Sequence, residues 1–217
     1  MTAYRLNRDA FVIEGYPRAR PFASFLPGIA GLRGIPMWAF YVNRGQAIAG
    51  FGIQDKDQPI MEFVPANRAY RTTALQGFRT FLKLKVHGRE VFHEPFQPPA
   101  RGRDRIVHQR MHVRMHELEL EERHAGLQLE THVRYFTIPE APFAALARVL
   151  TLTNRGRRPL PLQLVDGLPA IIPFGMQDRF LKSMSRTSEA WVTVRNLECR
   201  APFYQLKVEP HDRPEVL

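Results

Sequence analysis

This 217-residue sequence has one cysteine, few lysines and no long apolar run. The single cysteine, Cys199, excludes an internal disulfide and favours a reducing compartment. No stretch approaches the roughly 18 consecutive apolar residues that a membrane-spanning helix needs, and the first residues lack the apolar run of a secretory signal. We therefore expect a cytoplasmic protein with no membrane partner.

Arginine supplies most of the positive charge, with 26 arginines against 5 lysines and a formal net charge of +10. Such a balance usually suggests nucleic acid or an anionic surface as a partner. Here the arginines are scattered through every segment, which is more typical of arginine-biased codon usage than of a phosphate-binding surface. We predict no nucleic-acid partner, while anionic ligands such as inorganic phosphate stay open.

Prolines and glycines, 18 and 14 in number, are spread along the whole length. Because an interior proline costs a helix about 3 kcal/mol, short strands and turns are favoured. The sequence predicts an all-β fold, a large antiparallel β-sandwich in which residues 1–217 form a single domain. The predicted strands are Ala10–Glu14, Met37–Val42, Gln46–Gln54, Gln58–Val64, Ala69–Leu75, Phe78–Val86, Ile106–Leu120, Leu127–Val133, Leu146–Thr153, Leu160–Val165, Trp191–Cys199 and Phe203–Val208.

Three histidines four residues apart, His108, His112 and His116, would share one face of a helix. A strand sorts the same segment better, with the histidines facing solvent and a β-bulge near Glu117. The side chains then expected to face the core are Met111, Val113 and Met115. Zinc sites need further ligands in a closed geometry, and no HExxH motif is present. We predict no metal site and no cofactor.

Two further patterns concern turns. Leu146–Thr153 and Leu160–Val165 flank a polar turn and are predicted to pair as a hairpin, with Pro159 and Pro161 placing the second arm at a sheet edge. The glycines of the loop-rich stretch 21–36 suit tight turns and close backbone approach, since their spacing fits neither a dinucleotide fingerprint nor a P-loop.

Carboxylates that could form an acid/base pair are few. General acid chemistry on a glycosidic bond needs two carboxyl groups at a defined separation across a sugar. Asp55 and Asp57 share one face if their segment is extended, but Asp-Lys-Asp-Gln-Pro is also typical of a plain turn, which we favour. The other candidates are Glu62 and Asp166.

Three segments carry a resemblance to a known family: Phe22–Ile53, Asp57–Tyr70 and Val165–Gly175. Together they resemble the N-terminal region of bacterial cellobiose phosphorylases and β-glucan oligosaccharide phosphorylases. The resemblance runs over essentially the whole chain but covers only the opening part of such an enzyme. It implies a galactose-mutarotase-like β-sandwich, followed in the full enzyme by a helical linker and an (α/α) toroid.

In that group the toroid supplies the aspartate general acid and most phosphate ligands, so the resemblance implies no catalytic residue in this chain and no activity of the chain alone. The sandwich packs on the toroid, and in dimers its loops border the neighbouring active site. The residues that we single out for such loop contacts with substrate are Arg44, Asp55, Asp57 and Arg68.

Three function classes result from the sequence. The first is a non-catalytic N-terminal domain of an enzyme that phosphorolyses β-linked glucose oligosaccharides, with the toroid, the oligosaccharide, inorganic phosphate and a second copy in a homodimer as partners. The linker-like residues after Val208 favour this class, as part of a longer multidomain enzyme. The alternatives are an independent carbohydrate-binding module and a basic nucleic-acid-binding domain. In the first class, Val165–Phe174 is expected to form part of an exposed apolar surface.

Overall fold

The computed structural model describes residues 3–26, 28–99, 106–172, 176–184, 187 and 190–206. These residues form mainly antiparallel strands and two helices, α1 (Ala66–Gln76) and α2 (Asp178–Met184). The predicted all-β, sandwich-like fold is confirmed. The strands are β1 (Ala3–Asn7), β2 (Ala10–Glu14), β3 (Ala23–Leu26), β4 (Ile29–Ala30), β5 (Ile35–Val42), β6 (Ile48–Ile53), β7 (Pro59–Met61), β8 (Arg79–Val86), β9 (Arg89–His93), β10 (Val107–Val113), β11 (Glu117–His124), β12 (Leu129–Thr137), β13 (Leu146–Asn154), β14 (Leu162–Gly167), β15 (Val192–Arg195) and β16 (Phe203–Leu206).

The main core lies between two sheets. A six-stranded sheet has the order β1-β2-β10-β11-β12-β13, and a five-stranded sheet has the order β3-β5-β6-β7 with β4 paired to β5. Alternation along β11 and β12 turns Leu118, Leu120 and Val133 inward, because successive side chains of a strand point to opposite faces. They share one buried cluster with Met37 and Phe51 of the five-stranded sheet.

Helix α1 covers the other face of the five-stranded sheet, so the predicted strand Ala69–Leu75 is wrong. Pro65 stands before the first turn, where its missing N–H costs nothing, and the helix uses mostly good helix formers. Ala69 and Thr73, four residues apart, are the buried positions, and Ala69 packs with Phe40 and Val42 of β5. The paired threonines are β-branched and suit a strand, but the buried positions of this segment follow the 3.6-residue period of a helix.

A three-stranded sheet of order β14-β8-β9 lies beside these layers. The sequence of Phe78–Val86 alternates, with Phe81, Lys83 and Lys85 expected on one side and Leu82, Leu84 and Val86 on the other. The structure confirms this alternation in β8, because Leu82 and Leu84 are buried while Phe81 and Lys85 are exposed. The predicted hairpin between the segments around residues 146–153 and 160–165 is wrong: β13 pairs with β12, and β14 pairs with β8. The edge position predicted for β14 is confirmed.

The histidine segment is a hairpin and not one bulged strand. β10 ends at Val113, β11 begins at Glu117, and the amide of Arg114 donates to the carbonyl of Glu117 at 2.9 Å. The shift in apolar phase therefore marks a turn, and Met115, placed in the core by the strand interpretation, is 86% exposed. Residues 121–124, expected in a polar turn, continue β11, and the turn lies at 125–128.

The remaining predictions differ mostly at element ends. β2, β5, β6, β15 and β16 lie within their predicted segments or extend one by two residues. β1, β3, β4, β9 and α2 were not predicted, and β3 and β4 lie in the stretch 21–36 that was expected to be loop. Gly31 adopts φ +75°, as a turn glycine should, and a Cβ on Gly28 would lie 2.3 Å from Thr137 Cγ2. The stretch Glu94–Arg105 contains Pro, Arg and Gly without any period, which predicts an exposed loop. It has no strand over its described part, 94–99, and its remainder lies outside the described residues. Neither described helix is long and apolar enough to cross a membrane.

Candidate functional site

The four substrate-contact candidates do not converge on one site. Arg44 lies in the β5–β6 loop with its guanidinium 4.7 Å from the centre of the Tyr70 ring, and Arg68 is exposed on α1. Asp55 and Asp57 lie in the β6–β7 turn, at the opposite end of β6. Six residues of strand span about 20 Å, so the arginine and aspartate pairs cannot bind the same small ligand.

Polar residues next to Arg44 have structural partners. The Asn43 side-chain amide donates to the carbonyl of Tyr16 at 3.0 Å, and the Tyr16 hydroxyl donates to the carbonyl of Gly45 at 2.5 Å. Asn43 and Tyr16 are fully buried. These two hydrogen bonds therefore hold the β5–β6 loop against the short 3₁₀ helix Tyr16–Arg18.

The turn interpretation of Asp55 and Asp57 is confirmed. The Asp57 amide donates to the Asp55 carboxylate at 2.8 Å, which is the usual Asx-turn hydrogen bond. The Trp38 indole N–H donates to the Asp55 carbonyl at 2.8 Å and fixes one side of the turn. The carboxylate of Asp57 faces a cleft on the other side.

This cleft opens between the β6–β7 turn and α2, and its volume is about 590 Å³. That volume lies within the range of ordinary small-molecule sites. Helix α2 is supported by Trp191, whose ring lies 5.5 Å from that of Phe180. The side chains that line the cleft are Lys56, Asp57, Gln177, Asp178, Arg179, Lys182 and Ser183.

Asp178 is the buried acceptor of the cleft, with 1% of its surface exposed. Its Oδ2 accepts from Lys182 Nζ at 2.5 Å, one helical turn later, and lies 3.9 Å from Lys56 Nζ. Among the residues that the structure describes, none hydrogen-bonds to its Oδ1. A buried acceptor without a partner costs about 1–3 kcal/mol of stability, so a donor that binds this oxygen would remove that cost.

Cations dominate the rim. Lys56 Nζ donates to Asp57 at 2.8 Å, and this hydrogen bond raises the pKa of Lys56. The same bond lowers the pKa of Asp57, and the charges of Arg179 and Lys182 lower it further. Asp57 is therefore held as a carboxylate, which can accept hydrogen bonds but cannot serve as a general acid.

The outer face of the six-stranded sheet carries a second polar cluster. Cross-strand register places Glu14, Arg110, Glu121 and His132 directly opposite one another in turn. Opposite charges on facing strand positions stabilise a sheet. When His132 is protonated, the charges of these four facing side chains alternate between negative and positive.

His132 lies between two carboxylates. Its Nδ1 is 3.0 Å from Glu119 and its Nε2 is 2.6 Å from Glu130. The hydrogen bond to Glu119, followed by that to Glu130, raises the pKa of His132. His132 lowers the pKa of Glu119 to about 2, and Arg155 with His132 lowers that of Glu130 to about 2. Ionised carboxylates accept and do not donate, so this arrangement favours the imidazolium form of His132, in which both ring nitrogens donate.

Glu121, Glu130 and His132 could together hold a metal ion, since each offers a ligand atom within 4.8 Å of the others. Two arginines already occupy the carboxylates: Arg123 Nε lies 2.6 Å from Glu121, and Arg155 Nε lies 2.8 Å from Glu130. A metal would have to displace both arginines and the His132 proton. The geometry is better explained as an ion-pair network.

The predicted solvent-facing row of three histidines is wrong. His108 is exposed on β10 and His116 is exposed in the β10–β11 turn, but Nε2 of His112 is buried, 3.6 Å from Glu121. His116 lies beyond the end of β10 and shares no strand face with the other two. The fourfold spacing therefore produces no common site.

Arg148, whose own side chain is nearly buried, connects three parts of the fold through hydrogen bonds. Its side chain is 9% exposed, and it binds the Asp166 carboxylate on β14, the Gln46 side chain at 2.5 Å and the Thr80 hydroxyl at 3.1 Å. Thr80 donates to Asp166 at 2.6 Å. Asp166, a candidate acid from sequence, is therefore committed to an arginine.

The three-stranded sheet leaves apolar side chains exposed. All six residues of β14 are exposed, and Val165 has 69% of its surface in solvent. Val165 lies opposite Phe81 on the outward face, with Phe92 on the next strand. The exposed apolar surface expected at Val165–Phe174 is thus present at Val165 and Ile171, while residues 173 and 174 lie outside the described residues.

Sequence reasoning missed Asp178 and His132. No motif surrounds Asp178, and its burial depends on a seven-residue helix that the sequence pattern did not indicate. His132 had a usable signal: charged residues alternate along both β11 and β12, so correct pairing of these strands would have placed it among carboxylates.

Comparison with known proteins does not add a relative. No family model matches the chain, and no curated protein sequence is significantly similar to it.

Proposed function

We propose that this chain is the non-catalytic β-sandwich domain of a carbohydrate-active enzyme that phosphorolyses β-linked glucose oligosaccharides. The resemblance of Phe22–Ile53 and Asp57–Tyr70 to the cellobiose and β-glucan phosphorylase group implies this activity. The sandwich-like fold agrees with the N-terminal domain expected from it. The catalytic acid and the phosphate site would belong to the (α/α) toroid.

The observation that carries the proposal is the exposed apolar surface of the three-stranded sheet. Val165 on β14, Phe81 on β8 and Phe92 on β9 expose large apolar side chains on the outward face of this sheet. Contiguous apolar surface of this kind marks a protein interface more often than a free surface. A toroid that packs on the sandwich is the occupant that the proposal requires.

The state of the carboxylates supports a non-catalytic role. A glycosidic general acid needs a raised pKa, produced by burial away from cations. Glu119 and Glu130 have pKa values of about 2, Asp57 has a lowered pKa, and Asp166 binds Arg148. Glu119, Glu130 and Asp57 are thus stabilised as anions, which is the opposite of the raised pKa that a general acid needs.

The proposal includes a homodimer in the full enzyme and a cytoplasmic location. The free, exposed Cys199 agrees with a reducing compartment, where such a thiol persists.

The interface can be tested by mixing the chain with a separately produced catalytic toroid of a β-glucan phosphorylase. Sedimentation velocity should show a complex, and Val165→Asp should weaken it at least about tenfold, because the variant replaces a buried apolar contact with a charge.

The matched control is Val149→Asp, which makes the same substitution on another edge strand, β13, where Val149 is 41% exposed and lies opposite Arg134. This variant should bind the toroid like the wild type. Absence of a complex, or equal weakening by the two variants, would contradict docking through the three-stranded sheet.

A further inference from the structure

The cleft beside α2 offers a buried acceptor together with several donors. Within the described part of the chain, Asp178 Oδ1 has no hydrogen-bond partner, although the residue is almost fully buried and lines the cleft. The two lysines that contact Oδ2 of this carboxylate, Lys56 and Lys182, have more than half of their side-chain surface exposed. Either lysine can therefore change its rotamer without losing a packed position. Because Oδ1 is itself buried, a ligand hydroxyl reaches it only after such a rearrangement.

The charges around the cleft restrict the chemistry of a ligand. Lys56, Arg179 and Lys182 oppose a metal cation, which would have to enter beside three positive charges. Asp57 and Asp178 oppose an anion at the unpartnered oxygen. A neutral ligand whose groups both donate and accept meets neither repulsion. Hydroxyl groups have this property, each with one donor proton and two lone pairs.

We propose that the cleft binds a glucose unit of an oligosaccharide, with a sugar hydroxyl donating to Asp178 Oδ1. A neighbouring hydroxyl accepts from Lys56 or Arg179 and donates to Asp57 at the rim. The choice of glucose rests on the proposed function. The expectation of a polyhydroxyl ligand rests on the donors, acceptors and charges that line the cleft.

The volume of about 590 Å³ accommodates a single sugar ring with space for water. The cleft is polar and open, and a sugar bound there keeps much of its surface in solvent. Binding in the millimolar range is the expected strength for a site of this kind, because few contacts exclude water. The cleft therefore acts as an accessory sugar site that holds part of a chain, separate from any catalytic centre on the toroid.

The test is an ¹H–¹⁵N NMR titration of the whole 217-residue chain with cellobiose and with laminaribiose. Both sugars should shift the amide signals of residues 56–57 and 177–183 in a saturable way. Asp178→Asn should weaken the affinity about tenfold, since a charge-assisted hydrogen bond is about twice as strong as a neutral one.

Two further variants keep the test independent of folding. Asp57→Asn changes an exposed rim carboxylate and should weaken binding about threefold while the spectrum outside the cleft is unchanged. Glu90→Gln changes an exposed carboxylate on β9 and should bind like the wild type.

Calcium chloride and inorganic phosphate are the comparison ligands. Saturable shifts of the cleft amides by either one, without shifts by the disaccharides, would overturn the inference, as would disaccharide shifts confined to other residues. Failure here is distinguishable from failure of the proposed function: toroid docking without sugar binding removes only the cleft site, whereas sugar binding without docking leaves the cleft site and favours an independent carbohydrate-binding module.

Discussion

The six-stranded and three-stranded sheets present opposite kinds of outer surface. On the six-stranded sheet, Glu119, Glu130 and His132 lie within hydrogen-bond distance of partners of opposite charge, and arginines complete the network. On the three-stranded sheet, Val165, Phe81 and Phe92 are exposed with only Arg79 and Lys83 over the two rings.

The difference shows which surface is complete in this chain. Charges that are paired across strands are already satisfied in water, so covering them with a partner brings little gain in free energy. Covering the exposed apolar side chains on neighbouring strands lowers the free energy by about 25 cal/mol for each Å² of apolar surface removed from water. We therefore assign the three-stranded sheet to an interface and the outer face of the six-stranded sheet to solvent.

The largest expected effect comes from Arg148, which joins the two sheets. Arg148→Ala leaves the Asp166 carboxylate and the Gln46 side chain without their shared partner. Leaving the buried Gln46 side-chain oxygen without its donor costs about 1–3 kcal/mol, so the urea midpoint should fall and β14 should lose hydrogen-exchange protection.

The control is Arg157→Ala, at an exposed position between β13 and β14. It should change the free energy of unfolding by less than about 0.5 kcal/mol. If the two variants proved equally stable, the polar junction between the sheets would have no energetic role.

A smaller effect concerns pH and the charged face. The pKa of His132 is raised from 6.5, so its contribution is fully present below pH 6.5 and is lost as pH rises through the pKa of the folded state. The pKa values of Glu119 and Glu130 fall from 4.5 to about 2, so their contribution is present above pH 4.5 and is lost as pH falls towards 2. Stability from this cluster should be greatest between pH 4.5 and 6.5.

His132→Gln tests that cluster. The free energy of unfolding should fall by about 1–3 kcal/mol in the window of maximum stability, and the decline towards alkaline pH should flatten. The exposed His116 in the β10–β11 turn provides the control variant His116→Gln, which should retain the wild-type profile. An unchanged profile for His132→Gln would show that the imidazolium ion contributes nothing.

The smallest effect on stability is expected at the apolar surface. Val165→Thr should change the free energy of unfolding by less than about 0.5 kcal/mol, because the side chain is already in solvent. It should nevertheless reduce the self-association that we expect of the isolated chain at high concentration. Light scattering at matched concentrations measures this, with Val149→Thr on the edge strand β13 as control. A wild-type chain that stays monomeric would contradict the interface assignment.

The sequence predicted the fold class better than the connections between strands. Alternation is local, so β8 and its buried leucines could be recognised from residues 79–86 alone. Pairing is not local: β14 follows β13 closely, yet its partner is β8, some 80 residues earlier. Helix α1 was missed because two threonines and a tyrosine weakened the helical pattern, and packing against the sheet decides in such cases.

The candidate site was predicted in part. Asp57 was chosen from its segment and lines the cleft, but its neighbours across the cleft come from α2, more than 100 residues later. Arg44 and Arg68 lie in the same resembling segments, Phe22–Ile53 and Asp57–Tyr70, but Arg44 is at the other end of β6 and Arg68 is on α1. Sequence proximity to a motif thus located a loop, and only the fold could show which loop faces a cleft.

The central claim, that this domain is not itself catalytic, is tested most directly by glucose 1-phosphate release. The chain alone, incubated with phosphate and either cellobiose or laminari-oligosaccharides, should release none at high protein concentration, beside a full-length phosphorylase that does. Turnover by the chain that is lost in Asp55→Asn or Asp57→Asn would contradict the account and place an active site at the β6–β7 turn.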